Sequence, residues 1–222
     1  MSKNIKISVI TPSIRPAGLK IVQECLAEQT FTDFEWLVEV GLKKEHDLNK
    51  AFNKMIKRAQ GELLVFYQDY IKIEKDGLEK MWKAHQLNYN TFITSPVGKA
   101  DTYTASPSWD WRKFDTERTG DYKQCEWYQW EIDWACAPKK ALFDIGGFDE
   151  ELDGDKWSCD NVNVGKRAHL HGCKFMVHID NPAVALDHDK FEVHPFRHNY
   201  SPNHNNDRMN KFETNYKLDF LK

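Results

Sequence analysis

Asp69 closes a run that is otherwise apolar or aromatic: in GELLVFYQDYIKI, residues 61–73, the chain passes Leu63, Leu64, Val65, Phe66 and Tyr67 before it reaches an amide, an acid and a phenol. A carboxylate in that place has two readings. It is the solvated end of a strand, or it is a hard oxygen ligand held out rigidly toward a divalent cation. Two further acids stand at comparable points. Glu39 lies near the end of FEWLVEV, residues 34–40, where it serves an external ligand or pairs with a buried base. Asp160 opens DNVNVGKRAHLH, residues 160–171, where Asp is favoured as a helix cap.

Regular elements must hold these acids. Residues 5–11 (IKISVIT) form a β-rich run that stops at Pro12 and reads as a first strand buried on both faces. Residues 19–29 place Leu19, Val22, Cys25 and Leu26 on one helical stripe, and residues 34–40 are a second strand closed by Gly41. Leu48, Ala51, Phe52, Met55, Ile56 and Ala59 recur at spacings of three and four, which predicts a helix ended by Gly61. A third strand over 62–67, a third helix over 77–88 and a strand over 91–97 follow. This alternation predicts an α/β protein with a mostly parallel sheet and helices on both faces. In such sheets ligands gather at the carboxyl ends of the strands, which here carry Thr11, Glu39 and Asp69.

Beyond Gly98 the regularity weakens. Residues 99–123 are polar and loop-like, 125–137 (CEWYQWEIDWACA) read as extended, 138–144 as a short helix with Pro in its first turn, and 146–155 as a turn-rich loop. A helix over 160–171 and a last strand over 174–179 complete a second half that reads as a lid of loops and short elements laid on the sheet.

The totals narrow the class. A chain of 222 residues fits one domain with a well-buried core. A formal charge of −3 gives no general pull toward nucleic acid or anionic membrane. No apolar run approaches the roughly 20 residues of a membrane span and the first residues carry no secretory segment, so a cytoplasmic protein is expected. Cys25, Cys125, Cys136, Cys159 and Cys173 are scattered and form no CxxC pair, which points to free thiols. Eight Trp exceed the ordinary share, and Trp109, Trp111, Trp127, Trp130 and Trp134 crowd the second half as core filling or as a platform for sugar rings. There is no GxGxxG after the first strand and no GxxxxGK[ST]. A nucleotide at this sheet would therefore be held another way, by a divalent cation bridging its diphosphate to carboxylates.

Four stretches, in order, carry a family resemblance: SVITPSIRPAGLKIVQECLAEQTFTDFEWLVEVG (8–41), AFNKMIKRAQGELLVFYQD (51–69), IGGFDE (145–150) and CDNVNVGKRAHLHGCKF (159–175). Together they resemble the family 2 glycosyltransferases, nucleotide-sugar-dependent enzymes of the GT-A fold, over roughly residues 6–188. The family's Asp-x-Asp metal motif reads Gln68-Asp69-Tyr70 here, and its acid pair reads Cys159-Asp160.

The resemblance implies a metal-dependent, inverting transfer of a sugar from a nucleoside-diphosphate sugar, UDP-sugar favoured, to the hydroxyl of a glycan. Asp160 matches the base, Asp69 a metal ligand, and His188, in VALDHD, a late His ligand to Mn²⁺ or Mg²⁺, with His178 and His194 as rivals. Thr11, Pro12 and Arg15 match the first nucleotide-contacting loop and Glu39 the acid that binds the base of the nucleotide, and Asn53 and Gln68 are expected with Asp69 among the residues that bind the donor. Residues 1–98 would then be the nucleotide-binding half, 99–195 the acceptor half and 196–222 a tail. Two alternatives stay open: a non-catalytic nucleotide-sugar or glycan-binding module, and transfer onto hydroxylated DNA bases, for which the Lys, Arg and His of residues 196–222 speak and the total charge does not.

Overall fold

The structure, a computed structural model, describes residues 4–14, 16–41, 47–99, 121–153, 160–186 and 217–221. Arg15, Trp109, Trp111, Cys159, His188, His194 and most of the 196–222 stretch lie outside these, and Asp160 is described by its backbone alone.

The first half keeps the expected β, α, β, α, β, α, β order and adds two short strands, the fourth and the sixth: β1 (Ile7–Ser13), α1 (Pro16–Ala27), β2 (Phe34–Val40), α2 (Leu48–Arg58), β3 (Leu63–Tyr67), β4 (Ile71–Ile73), α3 (Gly77–Leu87), β5 (Thr91–Thr94) and β6 (Val97–Lys99). The second half adds β7 (Tyr122–Gln124), β8 (Trp134–Pro138), α4 (Lys139–Asp144), α5 (Asp160–Leu170), β9 (Lys174–His178) and β10 (Ala183–Ala185). Seven strands form one sheet in the order β2-β1-β3-β8-β5-β9-β7, and β4-β10-β6 form a small second sheet. β8 runs against both β3 and β5, and β7 against β9, so the other five strands of the large sheet share one direction.

The period of two along each strand divides the core between the two faces of the large sheet. Ile10, Leu64, Phe66, Ala135 and Ala137 join Phe52, Met55 and Ile56 of α2, Leu142 of α4 and Val164 and Ala168 of α5. Ile7, Val9, Leu63, Val65, Tyr67, Trp134 and Cys136 face the other way, onto Val22 and Leu26 of α1 and Leu78, Met81 and Trp82 of α3. Helices therefore cover both faces, and the four described cysteines are free thiols.

Three expectations are corrected. The strand expected over 91–97 is two: Pro96 has no N–H to give a ladder, and the chain passes at that point from the large sheet to the small one. The extended run over 125–137 is not uniform, since Trp127–Gln129 is a 3-10 turn and the strand begins at Trp134. The second half is not a lid. β8 fills the centre of the large sheet, buried along its whole length, and β9 and β7 extend it. Trp130 and Trp134 are fully buried in the two halves of the core, so neither is a sugar platform.

Candidate functional site

The parallel register of β1 and β3 pairs Ile10 with Phe66. Carried three residues further, it sets Ser13 opposite Asp69, past the point where the ladder stops. There the Ser13 hydroxyl donates a 2.6 Å hydrogen bond to Asp69 Oδ2, with both residues buried. Neighbouring contacts hold the two strand ends. Trp36 Nε1 donates to Thr11 Oγ1 at 3.0 Å, and Gly41 N to the Ser13 carbonyl at 2.9 Å. The chain turns after β3, where Ile71 N donates to the Gln68 carbonyl, and Gln68 N donates to the carbonyl of Asp133. Tyr70 Oη donates to Asp133 Oδ1 at 2.6 Å. Gly18, in the first turn of α1, fits against this turn because it has no side chain: a Cβ there would lie 2.1 Å from the Asp69 carbonyl oxygen.

The segment before β8 also reaches the start of α5. Asn161 Nδ2 donates to the Trp130 carbonyl at 2.8 Å and to Glu131 Oε2 at 3.1 Å. Since α5 leads into β9, which is parallel to β5, the helix begins at the carboxyl edge of the sheet. The backbone of Asp160 and the side chain of Asp69 therefore share that edge, joined through residues 130–133.

Other candidates are placed elsewhere. Pro12 continues β1 beside Glu39 of β2. Glu39 forms a 3.0 Å ion pair with Arg58, whose side chain is half exposed. Gln68 is buried within the turn. Asn53 does not join Asp69; its Nδ2 donates to the Phe148 carbonyl and Glu150 Oε1, and its Oδ1 accepts from Phe148 N. The IGGFDE loop is held a second time by Arg167, fully buried, whose guanidinium donates to the carbonyls of Ile145 and Gly147 and to Asn163 Oδ1. Further along, Asp153 accepts from Asn49 N and Lys50 N and so caps α2 from a distance, while burial pushes its carboxyl up to about 6.

Among the described residues no three His, Cys, Asp or Glu side chains form a group that could hold a metal ion. His178, at the end of β9, is three strands from β3, roughly 14 Å at the usual strand spacing, and cannot share an ion with Asp69. It packs against Tyr122 with ring centroids 4.6 Å apart and the rings tilted by 32°, and burial pushes its imidazole down to about 4. The described side chains do not by themselves complete a cation site.

Sequence reasoning missed Ser13, Gly18, Asp133 and Asn161. Ser13 stands two residues past the end of the expected first strand at Thr11, and Gly18 directly before the helical stripe that begins at Leu19, so both carried a local signal. Asp133 and Asn161 carried none, because their partners lie 63 and 31 residues away.

The helices on both faces and the mostly parallel sheet make a GT-A-like α/β fold. Solved structures of S. aureus TarS, a glycosyltransferase, share it. Residues 1–349 of that protein in complex with UDP are 18% identical, with a TM-score of 0.60 over 82% of this chain and 61% of that one. The complex with UDP-GlcNAc is 15% identical, with a TM-score of 0.61 over 82% and 59%. A longer TarS structure is 17% identical, with a TM-score of 0.60 over 82% and 37%. The chain thus spans about 60% of the 1–349 fragment, and at these identities the likeness establishes the fold alone. No protein-family model and no curated protein matches the sequence. Among the described residues no helix is long and apolar enough to cross a membrane.

Proposed function

We propose that this protein transfers a sugar from a nucleoside-diphosphate sugar, UDP-sugar favoured, to an acceptor hydroxyl with inversion at the anomeric carbon. The observation that carries the reading is the buried Ser13–Asp69 pair at the carboxyl edge of the sheet, in a fold shared with a protein solved with UDP and UDP-GlcNAc. Thr11, Pro12 and Glu39 line the same edge of β1 and β2, where the nucleotide is assigned. Arg15 is assigned to the same loop.

Asp160, at the first position of α5, is assigned the base. A carboxylate at a helix N-terminus is in general favoured in its charged form, and in this reading Asp160 takes the proton of the acceptor hydroxyl. As that proton moves to the carboxylate, the acceptor oxygen forms its bond to the anomeric carbon. The bond from that carbon to the diphosphate breaks, and its electron pair leaves with the nucleoside diphosphate. Mn²⁺ or Mg²⁺, held through Asp69 and His188 as the family resemblance implies, would offset charge on the leaving diphosphate.

Titration calorimetry with UDP- and GDP-sugars, with Mn²⁺ and with EDTA, tests the donor and the ion together. Binding of a UDP-sugar that Asp69→Asn weakens at least tenfold is expected, and absence of binding across the whole panel would sink the proposal. A second reading, a non-catalytic nucleotide-sugar module, is favoured by Gln68 standing beside Asp69 where the family has an acid. Metal-stimulated hydrolysis of UDP-GlcNAc, lost in Asp160→Asn, excludes it.

A further inference from the structure

The 146–150 loop is gripped from a third direction that neither the resemblance nor the site explains. Leu218 N donates a 3.1 Å hydrogen bond to the Ile145 carbonyl, the same oxygen that accepts from Arg167 Nη1. The backbone of Leu218 lies so close to Gly146 that a Cβ there would fall 1.6 Å from the Leu218 carbonyl oxygen. A Cβ on Gly147 would meet Leu221 Cγ at 2.6 Å. Both glycines have positive φ, at 81° and 82°, so the turn is shaped by backbone freedom as well as by space. Leu221 is 6% exposed and belongs to the same half of the core as Phe52, Phe148 and Val164.

We infer that residues 217–221 are a positioning strap for the 146–150 loop, with Leu218 as the backbone anchor and Leu221 as the apolar one. Asn53 and Arg167 grip the loop from α2 and α5 at Ile145, Gly147 and Phe148, and the N–H groups of Gly146 and Gly147 donate to the carbonyls of Phe143 and Leu142, but the positive φ of both glycines gives the turn freedom to rearrange whenever those bonds open. The strap covers both glycines and removes that freedom. Asp149 and Glu150 follow directly, with Asp149 Oδ1 accepting from Glu151 N and Glu150 Oε1 from Asn53 Nδ2, so the strap steadies the turn from which their carboxylates project. Its consequence for turnover rests on the transferase reading above; its consequence for loop order does not.

The test uses the full chain with Leu221→Ala and, separately, Leu218→Pro, which deletes the donating N–H. Residue-resolved hydrogen exchange is expected to accelerate at least tenfold at Gly147 and Phe148 in both variants, with β1 and β3 unchanged and Leu221→Met close to the parent. For a protein that turns over UDP-GlcNAc, kcat falls at least tenfold while the affinity for UDP stays within twofold. Exchange at Gly147 and Phe148 within twofold of the parent in both variants would overturn the strap, as would acceleration spread evenly over the large sheet. If the loop loosens as expected while the parent hydrolyses no nucleotide sugar, the strap stands and the transferase reading falls.

Discussion

Ser13 and Asp69, 56 residues apart in sequence, meet through a 2.6 Å hydroxyl–carboxylate hydrogen bond just beyond the last ladder pair of β1 and β3. A bond to a buried carboxylate is stronger than one between neutral groups, and its removal costs about 1.5–3 kcal/mol. Ser13→Ala should lower the unfolding free energy by that amount in urea titrations and weaken UDP binding. An unchanged urea midpoint would mean that the bond contributes nothing net.

Gly18→Ala sets two effects against each other. Alanine is the better helix former by about 1 kcal/mol, whereas its Cβ would lie 2.1 Å from a backbone oxygen of Asp69 that no side-chain rotation can move. Overpacking of this kind costs roughly 1–3 kcal/mol, so the clash wins. The variant should be less stable than the parent and, because the displaced atoms belong to Asp69, should bind UDP more weakly in calorimetry.

Asn53→Ala should destabilise by roughly 2–4 kcal/mol, since it orphans both the N–H and the carbonyl of Phe148 in a buried setting. Asn53→Asp keeps the acceptor but has no N–H for the Phe148 carbonyl and brings a charge beside Glu150, so it should not restore stability. Thermal unfolding of the three proteins side by side decides this.

His178 predicts acid sensitivity. Its folded pKa, about 4, lies below the ordinary 6.5, so between these values the unfolded chain binds more protons than the folded one. The stability it contributes is present above pH 6.5 and is lost as pH falls through about 4. Asp153 acts with the opposite sign: its raised carboxyl contributes stability that is lost as pH rises through about 6. Urea midpoints across pH 4–7 should therefore rise less steeply with pH in His178→Phe than in the parent, and more steeply in Asp153→Asn.

The sequence disclosed what is local and periodic. The stripe of α2 and the continuous apolar runs of β1 and β3 set those elements to within a residue or two of their observed bounds, because the residues of those runs fill the core on the two faces of the sheet. The position of β8 between β3 and β5 was hidden, since a five-residue apolar strand carries no mark of its neighbours or direction. The small second sheet was hidden for the same reason, being built from three-residue strands drawn from three distant parts of the chain. Asp69 was legible as an acid ending an apolar strand; its Ser13 partner depended on a register that exists only once the sheet has formed. Asn53 was legible as a motif residue, and its attachment to the 146–150 loop emerged only when α2 and that loop were brought together.

The central place of β8 bears on how the polypeptide can be divided. A fragment limited to residues 1–98 would leave the Leu63–Tyr67 backbone with no partner on one side, a bare apolar margin of the type that recruits other chains. Such a fragment should precipitate or self-associate during expression, and co-production of the missing portion should restore it to solution.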